Sequence, residues 1–358
     1  MSKRIPSLDG LRAVSIAAVI LGHVAACRAL PFSPRVLDFL ERIPMLGVRV
    51  FFVLSGFLIT TLILEERERT GGFSLSHFYM RRAWRILPPA YTLLFCLTVA
   101  NLLQWISISP IDYLRGFTYF MNYGPVPVWW VGHLWSLSVE EQFYLIWPFL
   151  LAFLPTRTCR SIAAVFIVVS AALRYHMVAQ VPVDQWRLEY QFQYAGTAMA
   201  FGCLLAIDRK WLYAQPWFRS ICASPITLVA ACAALLANTK LHGIGAFGAC
   251  TGDIVANFCI LVVVAKFTCQ PVGFVAKILN SRPFVAVGLI SYSLYLWQQE
   301  FANPDVHNWS SRFPYNLLLI VACSLGSYFL VEKPTLRIRK SLAEAGPARK
   351  PYEAGARA

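Results

Sequence analysis

The chain has 358 residues, 58% of them hydrophobic and 14% charged, whereas a typical soluble domain is about 45–50% apolar and about 25% charged. With 25 Phe, 15 Tyr and 11 Trp, these proportions exclude a disordered chain, a disulfide-rich mini-protein and an ordinary soluble enzyme, and they indicate a polytopic membrane protein. The excess of 32 basic over 18 acidic residues would suit nucleic acid, but the basic residues lie mostly between apolar runs, where orientation signals sit. No nucleic-acid partner is expected.

A membrane crossing takes about 20 mainly apolar residues. The sequence predicts an all-α polytopic bundle of about ten transmembrane helices, over 11–30, 44–64, 87–106, 138–155, 161–178, 193–208, 221–238, 249–267, 284–300 and 315–332. Lys3 and Arg4 followed by an apolar run ending Val24-Ala25-Ala26-Cys27 imitate a lipoprotein-type signal peptide. Asp9 and Arg12 interrupt that pattern, so the segment is read as a retained first span. Lys and Arg favour the side holding both termini by nearly three to one, Arg174 being counted on the other side, which predicts cytoplasmic termini in the cytoplasmic (inner) membrane. Residues 1–335 form the membrane-embedded domain, and 336–358 a basic, disordered tail near anionic membrane lipid. The aromatic segment 107–137 is expected to pack back over the bundle.

The ten cysteines are scattered through apolar runs with no C-x-x-C pair, which makes them small packing residues and predicts neither a metal nor a permanently bound cofactor. Ionisable residues inside a span are functional candidates by default, and His23 and Arg49 qualify. Eleven steps of 100° place Arg12 and His23 on one helical face, about 16 Å apart. Two adjacent carboxylates, Glu140 and Glu141, enter the span predicted from residue 138. Ser138-x-x-Glu141 fits a capping box, so capping and catalysis stay equally open for this pair. Arg82 and Arg85, three residues apart beside Pro88-Pro89, share a face if helical and would hold a phosphate bidentately. They equally suit a positive-inside anchor. Asp9 and Gly10 are either a helix cap or part of a ligand site.

In these blocks the sequence resembles the acyltransferase 3 family of integral-membrane O-acyltransferases. The resemblance rests on Ser7-Leu8-Asp9-Gly10-Leu11-Arg12 followed by His23, Val50 through Ser55-Gly56-Phe57, Arg82-x-x-Arg85, and His133-Leu134-Trp135-Ser136-Leu137-Ser138-Val139-Glu140-Glu141-Gln142-Phe143-Tyr144. Ile290-Ser291-Tyr292-Ser293-Leu294-Tyr295-Leu296-Trp297 and Val331-Glu332-Lys333-Pro334 extend it over nearly the whole chain. It implies ten helices, an acyl-CoA donor (acetyl-CoA by analogy) reached from the cytoplasm, and transfer to a hydroxyl of a saccharide or lipid-linked glycan of the cell envelope. It implies His23 as the catalytic base, Arg12, Arg82, Arg85 and Asp9 on the donor, and Ser55, His133, Trp135, Ser138 and Tyr144 as acceptor-binding or structural residues. Arg49 belongs with this last group, although many members carry an acidic residue there. Longer members carry a fused esterase-like domain, which this chain would have to do without.

The combined expectation is a donor held by arginines at the inner face, its thioester arm reaching His23, and Glu140 or Glu141 orienting the ring. A proton-coupled transporter with His23, Arg49 and Glu140 as a relay is the alternative, and a lipid-bound scaffold a third. Internal repeats and paired broken helices would favour transport, and neither is evident.

Overall fold

The computed structural model describes residues 5–28, 30–125, 127–180, 189–241 and 245–345. Lys3, Arg4 and tail residues 346–358 lie outside them. The principal helices are α1 (Pro6–Ala26), α2 (Pro44–Thr70), α3 (Leu75–Leu102), α4 (Leu134–Phe153), α5 (Thr156–Gln180), α6 (Thr197–Ala214), α7 (Pro225–Leu241), α8 (Gly245–Cys269), α9 (Ser291–Phe301), α10 (Tyr315–Ser327) and α11 (Lys333–Ala345). Prolines open several of them, including Pro6 and Pro44, because the first helical residue needs no N–H partner. Gly71, at φ +73°, closes α2 in the left-handed conformation that glycine adopts without a Cβ penalty.

The result is a helical membrane bundle. Every predicted span coincides with a helix, but six described segments are long and apolar enough to cross a membrane on those criteria, or seven if Pro216–Ala223 and the following Pro225–Asn238, bent by 71°, count as one. The remaining predicted spans are interrupted or charged. The one expected over 284–300 is broken at Ile290 between helix Arg282–Leu289 and α9. The bend has an identifiable stabiliser: the buried Lys266 ammonium donates to the carbonyls of Cys222 at 2.6 Å and Ser224 at 2.7 Å, which the helix end at Ala223 and Pro225 leave short of partners.

Four local expectations are corrected. Helix α3 begins at Leu75, so Pro88 and Pro89 lie inside it rather than at a span's edge, and the Tyr292 hydroxyl donates to the Ile86 carbonyl beside them at 2.8 Å. Helix α4 begins at Leu134, four residues before Ser138. Arg174 is buried inside α5 and not a loop charge. Residues 336–345 are helical in α11 rather than disordered, since nothing after Pro334 in that stretch breaks a helix.

Segment 107–137 does pack back on the bundle. Tyr113 donates to the Leu97 carbonyl at 3.0 Å, and Gln142 of α4 donates to the Tyr119 carbonyl at 2.9 Å. Close backbone approach sets the centre of the fold. A Cβ on Gly56 of α2 would fall on the Met199 carbonyl, and one on Gly202 of α6 on the Val53 carbonyl, the small-residue contact that lets helices pack where no hydrophobic force drives them together. We predict that Gly202→Val lowers the thermal midpoint of the detergent-solubilised protein, an overpacking cost of about 1–3 kcal/mol, with Gly202→Ala intermediate.

Candidate functional site

His23 occupies the last turn of α1, and its Nδ1 lies 2.6 Å from Oε1 of Gln298 on α9. The Trp129 ring meets the imidazole edge-on at 5.5 Å. Trp129 is itself fixed to α9: its Nε1 donates to the Gln299 carbonyl at 3.0 Å, and Gln299 Nε2 donates to the Trp129 carbonyl at 2.7 Å. The ring borders a cavity of about 610 Å³ whose walls include Trp129, His133, Trp135, Tyr190 and Tyr295, with Glu41, Arg42 and Asp305 as its charged members. Trp135 stacks on Tyr190 at 4.5 Å. His23 therefore opens onto this cavity.

A second cavity, of about 510 Å³, is strongly basic. Arg69 of α2, Arg81, Arg82 and Arg85 of α3 and Arg339 of α11 line it, with Glu65 and Glu66. Arg81 pairs with Glu66 at 3.0 Å, and Arg339 donates to the Arg81 carbonyl at 3.4 Å. Helix α11, absent from the sequence expectation, thus closes one wall. Glu332, in the π-helical turn Tyr328–Glu332, accepts from Ser293 at 2.9 Å.

Between the cavities lies a void of about 50 Å³ bounded by Arg12, Ser136, Glu140, Tyr292 and Tyr295. Tyr295 walls both this void and the aromatic cavity. Its hydroxyl donates to the His133 carbonyl at 3.0 Å and lies 2.5 Å from the Ser136 hydroxyl. On the other side, Arg82 sits 3.7 Å over the Tyr144 ring, Tyr144 donates to Glu140 at 3.2 Å, and Ser55 donates to Glu140 at 2.8 Å. The basic and aromatic cavities share no lining residue, so the continuous path expected for a thioester arm is interrupted here by Tyr144 and Tyr295.

The structure brings Arg82 and Arg85 together, and links Glu140 with Ser55 and Tyr144. It does not place a carboxylate on His23, whose observed ring partner is the amide of Gln298. Nor does Ser138 cap a helix. It lies within α4, donating to the Leu134 carbonyl at 2.9 Å and accepting from the Met121 N–H at 3.1 Å, so the capping account of Glu141 falls because the helix starts a turn earlier. Asp9 lies in the first turn of α1, where its backbone is close enough to Gly288 for a Cβ there to strike the Asp9 carbonyl.

Arg49 pairs with Asp253 of α8, which also pairs with the buried Arg174, and Arg174 reaches Glu189 at 3.3 Å. Among the described residues, His23, Arg49 and Glu140 thus pair with different partners. Asp253 was detectable in sequence as a lone acid within the span predicted over 249–267. Gln298 gave no signal, because an uncharged amide in a span is unremarkable. Among the described residues no group of three or more His, Cys, Asp and Glu side chains could hold a metal ion.

Removing Asp253 would leave two guanidiniums in a largely buried setting with one carboxylate between them. Breaking such a pair costs about 3–5 kcal/mol. We expect Asp253→Ala to lose most of its monodisperse detergent-solubilised protein, read by size-exclusion chromatography, and Asp253→Glu to retain it.

Comparison with known proteins gives these cavities a context. A family model described as an acyltransferase domain matches residues 5–331. The O-acetyltransferase OatA of Staphylococcus aureus is 29% identical over 315 residues, covering 82% of this chain and 50% of that protein. The peptidoglycan O-acetyltransferase OatA of Listeria monocytogenes is 28% identical over 319 residues, covering 82% of this chain and 49% of that protein. The chain thus spans about half the length of the relatives it matches. No solved structure matches it.

Proposed function

Because this chain belongs to the acyltransferase 3 family, we propose that it moves an acetyl group from cytoplasmic acetyl-CoA to a hydroxyl of an envelope glycan. We place it in the inner membrane with both termini cytoplasmic. The observation that carries the reading is the imidazole of His23 on the wall of one cavity, with five arginines around another. A polyphosphorylated thioester needs cationic forks at one end, and an acyl transfer needs a base beside the attacking hydroxyl.

In this mechanism Arg69, Arg81, Arg82, Arg85 and Arg339 hold the donor's phosphates, while Glu65 and Glu66 keep the empty cluster from repelling itself apart. The glycan enters the aromatic cavity, where the C–H faces of a pyranose stack on indole and phenol rings such as Trp129, Trp135 and Tyr190. The relatives are named for O-acetyl transfer, one of them for peptidoglycan, which makes peptidoglycan or its lipid-linked precursor the acceptor to try first. The donor's arm passes the central void when Tyr144 and Tyr295 swing aside.

His23 Nε2 then takes the hydroxyl proton as the oxygen attacks the thioester carbonyl. The carbon–sulfur bond breaks, and the departing thiolate recovers that proton from the imidazolium. Arg12, bordering the void, balances charge on the passing thioester. Glu140, tied to Ser55 and Tyr144, supports the arginine side rather than the base.

The test is purified protein in nanodiscs, given radiolabelled acetyl-CoA and peptidoglycan fragments, with label on the sugar as the readout. His23→Ala is expected to lose transfer by at least about 100-fold with unchanged membrane-inserted protein. Label transfer at the wild-type rate by that variant would eliminate the ring as base. Arg82→Gln and Arg339→Gln are expected to raise the KM for acetyl-CoA by about tenfold each, one charge-assisted hydrogen bond being worth about 1.5–3 kcal/mol, and to leave the KM for the glycan in place.

A further inference from the structure

We propose that Gln298 is the positioning residue that holds His23 in the tautomer with its proton on Nδ1 and its lone pair on Nε2. The inference deepens the acetyl-transfer reading and rests on it for its kinetic part. Gln298 is 0% exposed, and its Oε1 faces His23 Nδ1 at 2.6 Å. An amide oxygen can only accept, so the nitrogen facing it has to carry the proton. The remaining ring nitrogen, Nε2, is then the one able to accept a proton from a substrate hydroxyl.

The reverse amide orientation would have the opposite consequence. An NH₂ group facing Nδ1 would need the lone pair there and push the proton onto Nε2, which leaves no base. It would also clash with the charged ring, since the imidazolium carries N–H on both nitrogens. The carbonyl-facing amide suits the ring before and after proton uptake, so the base can cycle without its support rotating. One end of the reaction's proton traffic is thereby fixed by a neutral group.

The neighbouring residue reinforces this arrangement. Gln299 and Trp129 exchange two hydrogen bonds, which sets the indole edge-on to the imidazole and limits the ring's rotation about its own axis. Adjacent residues of α9 therefore set the proton and the plane of the ring. The charged and titratable groups on the same cavity wall are Glu41, Arg42, His133 and Asp305. His133 shares the cavity wall, whereas the hydrogen bond on His23 Nδ1 is that of Gln298. A carboxylate in place of the amide would keep the acceptor but add a second buried charge. A thioether of similar length would fill the space and remove the acceptor.

The experiment uses the full chain in nanodiscs, labelled with ¹⁵N-histidine, with the His23 resonances assigned by their loss in His23→Ala. The wild type is expected to show a protonated, pyrrole-type Nδ1 and a pyridine-type Nε2 at neutral pH. Gln298→Met is expected to show a mixture of tautomers. In the transfer assay with acetyl-CoA and peptidoglycan fragments, Gln298→Met should lose about 100-fold in kcat with both KM values within about twofold. Gln298→Glu, which retains an acceptor oxygen, should keep the Nδ1 proton and recover most of the loss.

A wild-type ring protonated on Nε2, or a Gln298→Met protein with wild-type kcat, overturns the proposal. So does a Gln298→Met protein that is slow but keeps the wild-type tautomer, because the residue would then be merely structural. Should Gln298→Met fail to fold, Gln298→Glu decides by whether Nδ1 stays protonated. A wild type that transfers no label would remove the acetyl-transfer reading, while the nitrogen spectra would still report on the tautomer.

Discussion

A half-buried imidazole at the end of a membrane helix gains from giving its N–H to a partner within the protein, because an unmade hydrogen bond on a buried group costs about 1–3 kcal/mol. In this chain the partner is Gln298, which joins the end of α1 to the end of α9. The rest of the aromatic end follows from that contact. Trp129 reaches the ring because Gln299 holds it by two hydrogen bonds, and His133 and Trp135 begin α4 on the same cavity. The approach of α1 to helix Arg282–Leu289 is equally close, since a Cβ at Gly288 would strike the Asp9 carbonyl. Both ends of α1 are therefore held by the segments flanking Ile290.

The charges are segregated by the same logic. Buried charges are costly unless paired, and several groups in this molecule have their own partners. Arg49 and Arg174 converge on Asp253, Glu140 accepts from two hydroxyls, and Lys266 is spent on the carbonyls of a bent helix. In the basic cavity, by contrast, five arginines meet two glutamates. That excess of positive charge is what a polyanionic donor would neutralise. Tyr144, beneath Arg82, and Tyr295, on the aromatic cavity, lie between it and His23.

Much of this was legible beforehand. Apolar runs located the helices, because a crossing segment must satisfy its backbone internally and so advertises itself by length. The family could be read from separate blocks such as Arg12 with His23 and Arg82 with Arg85, and the match over 5–331 agrees. The errors came where polarity misled. Ser138 looked like a cap because Glu141 follows it at capping-box spacing, yet the helix had already begun at Leu134. Arg174 looked like a loop charge because its acid, Asp253, is 79 residues away. The segment after Pro334 looked too basic to order, and α11 orders it to Ala345, with Arg339 turned to the basic cavity.

The sequence by itself determined the solvent this protein lives in, the helical class and the family, since each of those is a property of local composition and spacing. Only the tertiary structure decided who touches whom. That His23 meets an amide rather than a carboxylate, that Arg49 answers to Asp253, and that Ser55 holds Glu140 are contacts between residues 85 to 275 positions apart. Spacing along one helix tells which side chains share a face, but the partner on the facing helix is chosen by how the helices cross, and here glycines meeting backbone carbonyls set that crossing.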